Sequence, residues 1–145
     1  MATRILFVCL GNICRSPAAE GVFRHFAPEV ETDSCGTGGW HVGDPPYGPM
    51  QTAARKRGYD ISDLRARQFR PQDFHRFDLI IAMDTSNQRD IELQRPSDST
   101  TPVRIFTSYA PDQGMDHVPD PYYTRDFDGA LDLIEAAAQG LKASL

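Results

Sequence analysis

The sequence predicts an α/β fold: a single doubly wound domain over residues 1–145, with a four-stranded parallel sheet of order 2-1-3-4 and helices on both faces. Two observations carry this. Short apolar runs such as Ile5-Leu6-Phe7-Val8 and Leu79-Ile80-Ile81 alternate with amphipathic stretches of helical period, and a strand-then-helix order repeated along a chain builds a parallel sheet covered on both sides. A glycine-bearing loop also follows the first run directly and opens onto a helix. Sheets of this kind bind ligands beyond the carboxyl ends of their strands, where strand order reverses, and the order 2-1-3-4 puts that reversal after the first strand.

In chain order, the first strand, Ile5 to Val8, reads as buried and is followed by Cys9-Leu10-Gly11-Asn12-Ile13-Cys14-Arg15-Ser16-Pro17. Ser16 is expected to cap the next helix, Pro17 to take its first position, and Glu20 to lie in its first turn, where the dipole favours an acid. That helix is expected from about Pro17 to Ala27, with Ala19, Val22, Phe23 and Phe26 on one face and Pro28 ending it. Val30 to Cys35 is a more polar strand, placed at a sheet edge. Residues Gly36 to Gly48 form a loop of five glycines and two prolines around Trp40 and His41.

A second helix is expected over Pro49 to Arg57, with a cationic last turn and Gly58 as its cap. Phe77 to Met83 reads as the third strand, ending at Asp84 on the sheet edge that carries Cys9. A helix from about Ser86 to Gln94 and a strand over Val103 to Phe106 follow. Between Phe106 and Phe127 lies a long loop, and long loops in compact domains are usually functional. From Phe127, the spacing Phe127, Ala130, Leu131, Ile134, Ala137, Ala138, Leu141 describes a closing amphipathic helix.

Composition bounds the function. The chain has 145 residues and a net charge of −5, which gives no general attraction to nucleic acid or to an anionic membrane, so any phosphate site must be local. No apolar stretch approaches the ~20 residues of a membrane span, and a cytoplasmic location is expected. Three cysteines do not describe a disulfide framework, and with four scattered histidines they lack the spacing of a zinc site. No metal and no cofactor are expected, and the thiols should be reduced.

The chemistry lies in the loop after the first strand. Successive amides in a tight turn form a concave anion site, and the helix N-terminus adds positive potential to it. The same field favours a thiolate at Cys9. Arg15 offers a planar fork that matches two phosphate oxygens. Cys-x5-Arg alone is a weak pattern, since a cysteine ending a strand is commonly buried filler. The strand before it, Gly11 and Asn12 within it and Ser16-Pro17 after it make the combination specific.

This loop resembles the phosphate-binding loop of the low-molecular-weight protein tyrosine phosphatases. The likeness covers nearly the whole chain, because Gly36-Thr37-Gly38-Gly39-Trp40, Arg65-Ala66-Arg67-Gln68, Ala82-Met83-Asp84 and Asp120-Pro121-Tyr122-Tyr123 match further family motifs in order. It implies an enzyme that hydrolyses phosphotyrosine and small aryl phosphates. It also implies an aromatic wall at Trp40, which the residues alone leave open between wall and core plug. Structural pairing is implied for the Arg65 motif, a partnership of Ser34 with Asn12, and a redox pairing of Cys9 with Cys14. Leu64 stands where relatives often carry a histidine.

The roles expected are Cys9 as nucleophile and Arg15 with the amides of Leu10, Gly11, Asn12, Ile13 and Cys14 as the oxyanion clamp. Asn12 tolerates a left-handed backbone, and Ser16 can donate to the thiolate. Asp120 is mounted on a stiff segment by Pro119 and Pro121. A phenolate leaving group, whose conjugate acid has a pKa of ~10, leaves more easily with a proton, and Asp120 is placed to supply it. Tyr122 and Tyr123 are expected to form a slot for the aryl ring, and Cys35 is expected to be filler. The expected partners are phosphotyrosine proteins, with a tyrosine kinase as a candidate, and phosphate or another oxyanion in the loop. Two other readings stay open. An arsenate reductase of the same fold is expected to need further cysteines late in the chain, and none follows Cys35. A non-catalytic phosphotyrosine-binding module would not need Cys9, Arg15 and Asp120 together.

Overall fold

The computed structural model describes residues 3–145. Four strands, β1 (Arg4–Cys9), β2 (Glu31–Gly36), β3 (Leu79–Ala82) and β4 (Val103–Ile105), form one sheet of order β2-β1-β3-β4. Every pairing is parallel. The fold class and strand order expected from the sequence are those found, and the polar strand β2 does lie at an edge.

Residues alternate between the sheet's two faces along β1. Ile5, Phe7 and Cys9 point into a core built with α1 (Arg15–Phe26) and α6 (Phe127–Ser144), while Leu6 and Val8 meet Phe69, Phe74 and Ile91 on the other face. Phe7 is the centre of the first core, with the rings of Phe23 and Phe106 at 5.7 and 5.3 Å. In α6 the buried residues are Ala130, Leu131, Ile134, Ala137, Ala138 and Leu141, the stripe that the helical period marks out. The opposite face is covered by α3 (Asp73–Arg76) and α4 (Thr85–Glu92).

The start of α1 differs from expectation. The helix begins at Arg15, with Cys14 at the cap position and no side-chain cap. Pro17 is therefore its third residue, still within the first turn, where no amide hydrogen is needed. Ser16 does not cap, because its hydroxyl is turned down to the end of β1, 3.0 Å from the Cys9 sulfur. Glu20 lies beyond the first turn and is buried, so it serves a tertiary contact and not the dipole.

Elsewhere the differences are at boundaries. Helix α2 spans Gly48–Lys56, and Gly58 takes the positive φ of 92° that ends it, a conformation glycine adopts without a Cβ penalty. Strand β3 is shorter than expected, and α4 starts one residue early because Asp84 caps it through the Asn87 amide at 2.7 Å. The segment after β4 is not irregular: it holds 3-10 turns at Phe106–Tyr109 and Pro111–Gln113 and the one-turn α5 (Pro121–Thr124). Single turns carry too short a pattern to be read from sequence. No helix among the described residues is long and apolar enough to cross a membrane.

Candidate active site

The chain from β1 into the first turn of α1 turns back on the Cys9 sulfur at two points, the Asn12 amide and the Ser16 hydroxyl. Asn12 makes this possible by adopting φ 58°, and its amide donates to Cys9 Sγ at 3.2 Å. Its side chain then braces the loop. Nδ2 donates to Ser16 Oγ at 2.8 Å and to Ser34 Oγ at 3.1 Å, while Oδ1 accepts from the Arg67 amide at 3.1 Å. Asn12, Ser16 and Ser34 are all buried, so each hydrogen bond is made where an unmade one would be costly.

Ser34 passes its own hydroxyl hydrogen to Glu20 Oε1 at 2.7 Å. Burial pushes the Glu20 carboxyl up to about 7, against the Ser34 hydrogen bond, which favours the charged form. Glu20 thus serves this buried contact, which its expected place at the helix dipole does not include. A glutamate on an otherwise buried helix face was the available signal.

Gly36, at the end of β2, lies under this loop. A Cβ there would come within 2.7 Å of the Leu10 carbonyl oxygen, so only glycine lets the two backbones pass. The Thr37 and Gly38 amides donate to the Cys9 and Leu10 carbonyls, both at 2.9 Å. A Cβ at Gly38 would run into the Trp40 indole.

Arg15 is 3% exposed, yet its guanidinium reaches the same cleft. Nη1 donates to Asp84 Oδ2 at 2.7 Å and to the Val118 carbonyl at 3.0 Å, and Nη2 lies 3.5 Å from Asp120 Oδ2. Burial opposes its charge, but the Cys9 sulfur, the Asp84 hydrogen bond and the Asp120 carboxylate outweigh that and hold it more firmly protonated than an ordinary arginine. Asp84 thus fixes the fork's direction. The sequence placed it at the right sheet edge without giving it this partner, because the contact joins residues far apart in the chain.

The cleft, about 280 Å³, has Cys9, Leu10, Gly11, Ile13, Cys14 and Arg15 as its floor. Trp40 and His41 form one side, and Asp120, Tyr122 and Tyr123 the other. Trp40 is 73% exposed, which rules out the core-plug alternative. Asn12, Ser16 and Ser34 lie beneath the floor, not in it. His41, whose Nδ1 lies 3.2 Å from Asp44 Oδ2, lines the cleft and had no role assigned from sequence. Asp120 caps α5, its Oδ1 accepting from the Tyr122 amide at 3.1 Å, which leaves Oδ2 toward Arg15.

Of the other residues singled out, Arg67 pairs with Asp33 and the fully buried Asp73, each at 3.1 Å. Among the described residues Arg65 donates to the Ser62 and Leu64 carbonyls and forms no ion pair. Leu64 packs against the main core. All three cysteines are free thiols, and Cys35 is completely buried. Cys14 is pushed up to about 12, chiefly by burial and then by the Asp120 charge. Among the described residues no group of three or more His, Cys, Asp or Glu side chains could hold a metal ion.

Residues 4–145 match the model of the family described as low molecular weight phosphotyrosine protein phosphatase. The chain is 40% identical over 147 residues to the low molecular weight protein-tyrosine-phosphatase YfkJ of Bacillus subtilis, covering 97% of this chain and 94% of that one. The crystal structure of YfkJ superposes with a TM-score of 0.94 at 39% identity, over 99% of this chain and 94% of the other. Wzb of Vibrio vulnificus, solved in complex with benzylphosphonate, is 25% identical with a TM-score of 0.88 over 100% of both chains.

Proposed function

The chain belongs to the low molecular weight phosphotyrosine protein phosphatase family, and from that premise we propose that residues 1–145 form one phosphatase domain hydrolysing phosphotyrosine and aryl phosphates through a cysteinyl phosphate. One observation carries the assignment of roles. The loop from Cys9 to Arg15 and the distant segment at Asp120 bring the Cys9 sulfur, the Arg15 fork and the Asp120 carboxyl to a single cleft, to which Trp40 from a third segment adds an aromatic side.

In the first step the Cys9 thiolate attacks phosphorus in line, forming the S–P bond as the P–O bond to the phenol breaks. Arg15 and the amides of residues 10–15 hold the three equatorial oxygens. Asp120 gives its proton to the departing phenol oxygen. In the second step Asp120, now a carboxylate, takes a proton from a water that attacks the phosphoenzyme, releasing phosphate and restoring the thiolate. The Ser16 hydroxyl, 3.0 Å from the sulfur, stabilises the thiolate as it forms and as it leaves. Trp40, Tyr122 and Tyr123 hold the ring, which agrees with a relative that binds a benzyl phosphonate.

The setting is the cytoplasm, with phosphotyrosine proteins as substrates and a tyrosine kinase among the partners. The cysteine pair adds redox control. Peroxide converts the Cys9 thiolate to a sulfenic acid, and the Cys14 thiol then displaces water to form a disulfide that added thiol reduces.

The test is steady hydrolysis of phenyl phosphate and a phosphotyrosine peptide. Wild type should turn over both and be inhibited by vanadate, while Cys9→Ser should lose at least about 10⁴-fold in kcat. Retention of turnover by Cys9→Ser, or thiol-coupled arsenate reduction without aryl phosphatase activity, would end this reading. For the redox arm, Cys14→Ser should recover less activity than wild type after peroxide and thiol; equal recovery removes it.

A further inference from the structure

The segment that carries Asp120 is short of internal support. Helix α5 is a single turn with Tyr122 and Tyr123 exposed, and one turn does not hold itself. On its N-terminal side the segment is anchored by Val118, which is fully buried and donates its amide to the Met83 carbonyl at 2.9 Å. On its C-terminal side the anchor is a cluster outside the cleft. Arg125 takes a left-handed backbone, φ 65°, which is uncommon for a residue with a side chain. Its amide closes α5 on the Pro121 carbonyl at 2.9 Å.

The Arg125 guanidinium lies against two neighbouring rings, 5.3 Å from the centroid of Tyr47 and 5.2 Å from that of Phe127, with the two centroids 6.2 Å apart. Its Nη1 also donates to the Tyr47 hydroxyl at 2.9 Å. The Tyr47 ring in turn meets the Tyr122 ring at 5.2 Å. Tyr47 is itself fixed to the phosphate loop, since its amide donates to the Ile13 carbonyl at 2.8 Å.

We propose that Tyr47 and Arg125 are positioning residues for Asp120, a latch that ties the one-turn helix bearing its carboxyl to the loop that holds the phosphate. The inference rests on Asp120 being the general acid. The remaining anchors, buried Val118 and Pro121 and the Arg15 guanidinium 3.5 Å from the Asp120 carboxylate, lie on the N-terminal side of the turn. Release of the latch therefore frees its C-terminal side to pivot and carries the carboxyl away from the leaving oxygen. A displacement on the order of 1 Å at such a site can cost 10²-fold in rate. The loop itself keeps its shape, because its link to Tyr47 is through the backbone and survives any side-chain change.

Leaving-group dependence reads the latch. In kcat/KM, Tyr47→Ala and Arg125→Asn, the latter chosen because asparagine tolerates a left-handed backbone, should lose about tenfold with phenyl phosphate, whose phenol needs a proton. Both should lose less than about threefold with 4-nitrophenyl phosphate, whose phenol leaves more readily without one. Tyr47→Phe, which keeps the ring and loses only the hydroxyl, should recover most of the phenyl phosphate rate. Vanadate inhibition should stay within about twofold of wild type, and Tyr47→Ala placed on Asp120→Asn should not steepen the leaving-group dependence further. If Asp120→Asn shows steep dependence while both latch variants lose the two substrates equally, or lose neither, the latch is overturned alone. If Asp120→Asn loses both substrates equally, the acid assignment falls and the latch with it.

Discussion

The phosphate loop and the Asp120 segment face each other across one cleft but are held by different means. The loop is buried and cross-braced: Asn12 alone makes three side-chain hydrogen bonds, to Ser16, Ser34 and the Arg67 amide. The Asp120 segment stands at the surface, with Tyr123 73% exposed, and is held through Val118, Arg15 and the Tyr47 cluster. The difference follows from what each half must do. An oxyanion clamp works by being in place before charge develops, so it is rigid at the expense of buried polar groups. Under the proposed mechanism, the acid has to meet the leaving group at the cleft's mouth, which calls for an accessible mount and a few point contacts.

The largest effect is expected at Asn12. Asn12→Ala should lower kcat by roughly 10²-fold and destabilise the fold by about 3 kcal/mol, since it orphans buried partners and puts alanine at a positive φ. Activity and chemical denaturation would move together. Loss of rate with unchanged stability would mean that the bracing network is not what holds the loop.

Glu20 sharpens the same side. Its folded-state pKa of about 7 lies above the ordinary 4.5, so between those values the folded chain binds a proton that the unfolded chain has released. Stability from this group is therefore full below the unfolded value and is lost as pH rises through 7. Denaturation from pH 5 to 8 should show wild type losing about 2 kcal/mol more than Glu20→Gln. Parallel pH profiles would show that Glu20 does not take up that proton.

The smallest effect belongs to the exposed wall. Trp40→Ala should raise KM for a phosphotyrosine peptide about three- to tenfold through lost ring contact and leave stability within about 0.5 kcal/mol. A marked drop in melting temperature would mean that the indole supports the fold as well as the substrate.

Legibility in the sequence followed contact range. The loop could be read because a strand, a turn and a helix start all fall within a dozen residues, and each has a local chemical signature. The same proximity misled at Ser16 and Glu20, where a local role, capping or dipole pairing, competes with a tertiary one. The caps lost because Ser16 is drawn down to Cys9 and the Cys35 carbonyl, and Glu20 to Ser34. Asp84 could be placed at its strand end but not given its partner, and Tyr47 carried no local signal. Their partners, Arg15 and Arg125, are 69 and 78 residues away.

The chain's own order of apolar and polar residues determined the parallel sheet, its polar edge, the long closing helix and the place of Cys9 and Arg15 beyond a strand end. Those properties depend on periodicity and on steric preferences within one or two turns. Only folding decided which oxygen orients the Arg15 fork, that a buried glutamate underlies the loop, and that Arg125 meets the Tyr47 and Phe127 rings next to the turn that carries Asp120. Such contacts depend on where the sheet brings distant segments together, and no local pattern encodes that distance.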